Sequence, residues 1–323
     1  MTDVPPTLVV LAAGLSSRYG AGAGASKQLD GMGPSDETLM DYSVYDAHRY
    51  GFGKALFVIR AEDEAEIQHR IDRLRKLMPV DYVHQRLDDL PSEFEASPSR
   101  IKPWGTAHAV LSTERRINEP FLLINADDFY GASSFALAHS HLSALRDTPN
   151  APFAFVGFTL SGNLSVHGGV SRGVCRCDSE GYLQEIAEMT NVREQGGIIT
   201  GSYASGATRT FTGNEIFSAN MWAFTPAIFP LLRSRFIDFL NDHTASTSAE
   251  FLLPEAVNQI IAKGLARFKV LPAREPCFGV TYSKDKRAVQ RRIRDLIDNG
   301  EYPASLLPPP SSLVPPPSKL TCN

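Results

Sequence analysis

Short apolar runs alternate with helical periods through the first half of this chain, and that alternation narrows the fold more than any other feature. Thr7–Leu11, residues 55–59, a shorter run at Tyr82 and Val83, and residues 121–124 read as buried strands. Between them, residues 40–50 place Met40, Val44 and Ala47 on one face, and the charged stretch 62–77 carries Ile67, Ile71 and Leu74 at helical spacing. Strands that alternate with helices need crossover connections, which implies a mostly parallel sheet covered by helices on both faces. Ligands of such sheets bind at the carboxyl ends of the strands.

After Pro152 the pattern changes to short alternating strands at 153–158, 170–175, 182–188 and 217–224, an antiparallel or mixed extension forming a second wall of the cleft. Helices are expected at 226–240, with Pro226 at a first helical position, and around 251–263, closed by Gly264. A last strand at 266–271 and a helix at 285–299 finish the domain. One domain over 1–302 is expected, with halves near 1–150 and 151–302. The remainder, 303–323, contains Pro308-Pro309-Pro310 and Pro315-Pro316-Pro317 and reads as an extended or disordered tail, with a docking role left open.

At 323 residues and 43% hydrophobic the chain can bury a substantial core. Lys and Arg number 32 against 36 Asp and Glu, a net charge of -4, so no global basic field draws it to nucleic acid or an anionic membrane. No apolar run is long enough to span a bilayer, and residues 1–6 lack the pattern of a signal peptide. Cys175, Cys177, Cys277 and Cys322 make neither a disulfide framework nor a complete zinc site, so reduced thiols and a cytoplasmic location are expected. Oligomeric state stays open.

The first strand breaks into Ala12-Ala13-Gly14-Leu15-Ser16-Ser17-Arg18-Tyr19-Gly20 and then Ser26-Lys27-Gln28-Leu29. Small residues directly after a buried strand let backbone N–H groups approach an anion, and Arg18 and Lys27 add cations along a triphosphate. A Walker A loop would need Ser or Thr after Lys27, and the dinucleotide fingerprint needs a different glycine spacing. A second element is the run ending in Asn125-Ala126-Asp127-Asp128-Phe129-Tyr130-Gly131, which sets carboxylates at the carboxyl edge of the sheet, oxygen ligands that suit Mg²⁺. An acidic pair after a strand can also simply cap the next helix.

Together these segments resemble the sugar-phosphate nucleotidyltransferases of the glucose-1-phosphate uridylyl- and thymidylyltransferase type: Leu-Ala-Ala-Gly, Ser-Arg, then Ser-Lys-Gln-Leu, followed by the acidic strand end. The resemblance runs from about Thr7 to Pro303 and is most specific in the first 131 residues. It implies a Rossmann-like α/β fold with Leu11, Ala12, Ala13 and Gly14 at the nucleotide, Arg18 and Lys27 as catalytic cations, and Asp127 as the magnesium ligand. By the same resemblance Gln85, Gly105 and Thr106 sit at the base, where the Gln85 amide offers both donor and acceptor. Gly173 and Glu188 fall in the sugar-contacting hairpin, so that the resemblance makes the half near 1–150 the nucleotide-binding one and the half near 151–302 the sugar-phosphate one.

Two positions depart from the family. Met189 stands where many members carry a phosphate-holding lysine, so Arg172 or Arg193 would have to serve. The region 277–282 lacks a second metal carboxylate, and Asp285 either reaches the metal from a shifted turn or is a helix N-terminal acid. The expected reaction joins a nucleoside triphosphate and a sugar 1-phosphate with release of pyrophosphate and with Mg²⁺ as cofactor. Transfer from CTP to a non-sugar phosphate, and a non-catalytic nucleotide-sugar-binding role, remain as alternatives, whereas a nicotinamide oxidoreductase lacks its fingerprint.

Overall fold

The computed structural model describes residues 4–14, 30–145, 152–165, 167–280 and 283–307. Arg18, Lys27, Cys322 and all of the tail after Leu307 lie outside the described residues. Strands β1 (Thr7–Leu11), β2 (Lys54–Ile59), β3 (Val80–His84) and β4 (Phe121–Asn125) pair in parallel in the order β3-β2-β1-β4. Helices α1 (Leu39–Arg49), α2 (Glu64–Leu74) and α3 (Thr106–Leu111) lie on their crossovers. β1 shows why both faces are covered. Leu8 and Val10 pack with Met40, Val44, Ile67 and Ile71, while Val9 and Leu11 pack with Trp104, Val110 and Leu123 in the opposite layer.

The rest of the chain continues the same sheet and adds a separate two-stranded one. It comprises β5 (Asp128–Phe129), α4 (Ala132–Ala144), β6 (Phe153–Thr159), β7 (Val170–Cys177), β8 (Leu183–Gln195), β9 (Ile198–Ser202), β10 (Thr208–Phe211) and β11 (Ile216–Phe224). Then come α5 (Ile228–His243), α6 (Leu253–Ala262), β12 (Phe268–Pro272), β13 (Phe278–Gly279) and α7 (Lys286–Asp298). β11 runs antiparallel to β4, β6 and β7, the hairpins β7-β8-β9-β10 extend the edge, and β12 pairs in parallel with β6. The α/β fold with a parallel centre and an antiparallel extension is therefore the one the alternation implied. No described helix is long and apolar enough to cross a membrane.

Several boundaries move. The helix expected from Pro226 starts at Ile228, because residues 225–227 form a turn in which Thr225 and Pro226 carbonyls accept from Ile228 and Phe229. The stretch 62–77 opens as a 3-10 turn, Ala61–Asp63, before α2, which stops at Leu74. α4 was not expected: its buried Ser134, Phe135, Ala138 and Leu142 keep helical spacing, but serine and alanine blunt the apolar signal. The β9-β10 hairpin was also missed, since β10 is exposed except at Phe211 and the hairpin's apolar alternation is faint. Packing also continues past residue 302. Leu306 is buried with Tyr42, Phe129 and Tyr302, so the segment read as the start of a loose tail begins by docking on the domain.

Candidate active site

β11 forks the sheet. Beyond its bulge, Trp222–Phe224 pair with β4, whereas before it Phe217 and Ser218 pair with β7. At the bulge Asn220 takes φ 62°, a left-handed conformation that asparagine tolerates better than most residues. A cavity of about 300 Å³ opens in the fork, floored by Ser218, Ala219 and Asn220 and walled by β4, β7, β8, β13 and α7. It lies at the carboxyl end of β4, the edge at which the topology leads one to expect a ligand.

A directional chain of hydrogen bonds crosses this floor. The indole N–H of Trp222 donates to Asn220 Oδ1 (2.9 Å), Asn220 Nδ2 donates to Asn125 Oδ1 (2.8 Å), and Asn125 Nδ2 donates to Asp128 Oδ2 (3.0 Å). An indole only donates and an ionised carboxylate only accepts, so both amide orientations are fixed by the chain's ends. Tyr130 braces the same strand end: its hydroxyl donates to the Ala219 carbonyl (2.9 Å) and accepts from the Asn125 backbone (3.0 Å). Burial, with the Asp128 charge, holds that phenol well above its usual range and therefore protonated.

Of the acidic pair, Asp128 lines the cavity, while Asp127 occupies the turn between β4 and β5, half-buried beside it. The short β5 pairs with β13, setting Asp128 opposite Gly279. A side chain at Gly279 would collide with the Asp128 carboxylate and come within 2.7 Å of the Asp127 carbonyl oxygen. Asp285, at the start of α7, also lines the cavity. It makes no side-chain cap to its own helix and instead accepts from Ser165 Oγ (3.1 Å).

The hairpin residues fall on the opposite wall. Gly173 faces Glu188 across the β7-β8 ladder, and both line the cavity. Asn258 on α6 secures that hairpin by pairing its amide with both the N–H and the carbonyl of Ile186, each at 2.8 Å. Arg172 lines the cavity, its guanidinium bonded to the carbonyls of Ser171 and Asn163 and lying 4.9 Å from the Phe217 ring centre. Arg193 does not join it. It is exposed on the far part of β8, beyond a bulge, where that strand pairs with β9. Met189 points the other way from Glu188 into the apolar core and is fully buried. Arg292, on α7, stands at the mouth of the cavity with its guanidinium 5.1 Å from the Phe278 ring centre.

The residues expected at the nucleotide cluster around the ends of β1 and β3. Ala12 leaves the sheet with its N–H on Val58, Leu11 accepts from the Ala126 N–H, and Gly14 is exposed at this edge. Gly105 has φ 106°, and a side chain there would stand 2.6 Å from the Phe251 carbonyl oxygen. Gln85 is buried, and its Nε2 donates to the Gly105 carbonyl (2.9 Å) and to His108 Nδ1 (3.2 Å). Both amide hydrogens are thus used within the fold, which corrects the expectation that this side chain offers donor and acceptor together. Thr106 Oγ1 accepts from the Leu253 N–H at the start of α6, so its hydroxyl ties two helices together. His108 is held neutral by burial and links Gln85 to the Asp89 carbonyl.

Asn125, Asn163, Asn220 and Arg292 were missed by sequence reasoning. The pair Asn220 and Trp222 carried a signal, as a polar residue beside a tryptophan in an apolar strand, but its partner Asn125 lies on another strand.

No family model and no curated protein matches the chain. Among solved structures, the inositol-1-phosphate CTP transferase from T. maritima superposes with a TM-score of 0.57, over 90% of this chain and 97% of that one, at 13% identity. The two chains share a fold.

Proposed function

We propose that this protein is a nucleotidyltransferase, joining a nucleoside triphosphate to a hydroxyl-rich phosphomonoester such as a sugar 1-phosphate. The observation that carries this reading is the polar cavity in the fork between β4 and β7, where Asp128, Glu188, Asp285 and Arg172 come together beside the strand end that feeds the loop after β1. A phosphate oxygen of the acceptor attacks the α-phosphorus, the bond from that phosphorus to the bridging oxygen breaks, and pyrophosphate leaves with the electron pair. The acceptor phosphate is already ionised at neutral pH, so the protein must align two anions rather than abstract a proton. Arg18 and Lys27 would lie along the triphosphate, Leu11 to Gly14 would give it backbone approach, and Gln85, Gly105 and Thr106 would shape the base pocket. Gly173 and Glu188 would meet the acceptor's hydroxyls.

Magnesium fits the donors. The described residues hold no group of three or more metal-ligating side chains, but this ion needs only one or two carboxylates and takes its remaining ligands from water and phosphates. Asp127, with Asp128 next to it and Asp285 across the cavity, would hold it, and bound there it would neutralise phosphate charge.

A second reading, transfer from CTP to a phosphorylated cyclic polyol, is favoured by Met189. That position is turned into the core, so the acceptor site differs from the usual sugar site, and the fold neighbour is named for an inositol phosphate and CTP. Pyrophosphate release should be measured with Mg²⁺, five triphosphates, and glucose 1-phosphate or myo-inositol 1-phosphate as acceptor. Release from one pair, abolished by Asp127→Ala, is the expected result; nucleotide-sugar binding without any release would replace the enzyme with a sensor.

A further inference from the structure

We propose that Arg172 and Arg292, reaching one cavity from β7 and from α7, form the clamp for the acceptor's phosphate. The place of this clamp in the reaction rests on the nucleotidyltransferase reading; anion binding by it does not. Arg60, Arg70 and Arg235 each lie on a carboxylate, whereas neither Arg172 nor Arg292 has one within ion-pair distance among the described residues. The fold sets both cations in the lining of one cavity, together with Asp128 and the buried Cys277.

Each guanidinium is held against an aromatic ring, Phe217 for Arg172 and Phe278 for Arg292, which restricts it before any ligand arrives. Arg172 is further fixed by two backbone carbonyls, and its Nε is buried with no hydrogen-bond partner, a donor left to be satisfied. Among the described residues no other arginine or lysine lines this cavity. Met189 faces the core and Arg193 lies beyond the bulge. The same cavity is lined by Glu188, beside Arg172 on the β7-β8 hairpin, and by Asp128 and Asn220, groups that accept from or donate to hydroxyls. Paired guanidiniums with hydroxyl-binding groups around them fit a small polyhydroxylated phosphomonoester, and a free polyol leaves the cations unmatched.

Titration calorimetry tests this without turnover. Glucose 1-phosphate, myo-inositol 1-phosphate and the corresponding free polyols are titrated into the full chain, with and without a non-hydrolysable triphosphate. A phosphomonoester should bind and its free polyol should not. Arg292→Ala should weaken binding about tenfold to a hundredfold, Arg292→Lys should recover part of it, and exposed Arg294→Ala on the same helix should leave it unchanged. In the assay, Arg292→Ala should raise KM for the acceptor and leave that for the triphosphate unchanged. Equal affinity of Arg292→Ala and the unaltered protein, equal binding of polyol and phosphomonoester, or no binding of any phosphomonoester overturns the clamp. Arg292-dependent binding without pyrophosphate release from any pair would leave the clamp standing and remove the transferase.

Discussion

Gly279 has no side chain, and the position of Asp128 depends on that. A methyl group there would meet the Asp128 carboxylate and the Asp127 carbonyl, so β5 and β13 would have to part or the acidic pair would have to move. Gly279→Ala should cut kcat/KM about a hundredfold, the cost expected of a misplacement near 1 Å. Its overpacking should lower stability by about 1–3 kcal/mol, leaving the protein folded. Pyrophosphate turnover together with urea unfolding would read both, and near-normal turnover would show that the close approach is tolerated. The sequence marked both carboxylates through the strand they terminate. It could not say which would face the cavity, because that follows from a two-residue pairing with a strand far along the chain.

At the scale of elements, the segment after α7 locks α1 to the small sheet that carries Asp128. Tyr302 packs edge-on to Tyr42 and Phe129, Phe129 stacks on Phe278 at 4.6 Å, and the Tyr302 hydroxyl donates to Asp46 Oδ2 (2.7 Å). Burial pushes the Asp46 carboxyl up to about 7, against its Tyr302 hydrogen bond and the pull of Arg49 at 3.1 Å; the charge of Glu275 adds to the rise. A raised carboxyl favours the folded state while protonated, so its stabilisation is full below about pH 4, the unfolded value, and is lost as pH rises through about 7. Asp46→Asn should therefore remove a decline of at most about 1.4 kcal/mol per pH unit across that window. Urea unfolding of both proteins from pH 4 to pH 8 checks this, and parallel profiles would refute it. None of this lock was legible in the sequence, where Tyr302 stood at the threshold of a proline-rich stretch with no periodicity to recruit it.

At the scale of the molecule, β11 is shared by both halves of the sheet, pairing with β4 on one stretch and β7 on the other. The two tryptophans, Trp104 and Trp222, are fully buried in one apolar layer beneath it. Unfolding should therefore be a single cooperative event, with tryptophan fluorescence and far-ultraviolet circular dichroism giving coincident urea midpoints; separate midpoints would mean that the halves at 1–150 and 151–302 unfold independently. The sequence by itself determined the parallel centre, because apolar periodicity of 2 and 3.6 is a local property written into neighbouring residues, as in β1, α1 and α2. It also determined that carboxylates would stand at a strand's end. Only the tertiary structure decided the cavity beside β4: the fork of β11, the amide chain from Trp222 to Asp128, and the presence of Arg172 and Arg292 in one lining. Those contacts join residues that are distant along the chain, and side-chain direction at such junctions is set by register and packing, which no local pattern encodes.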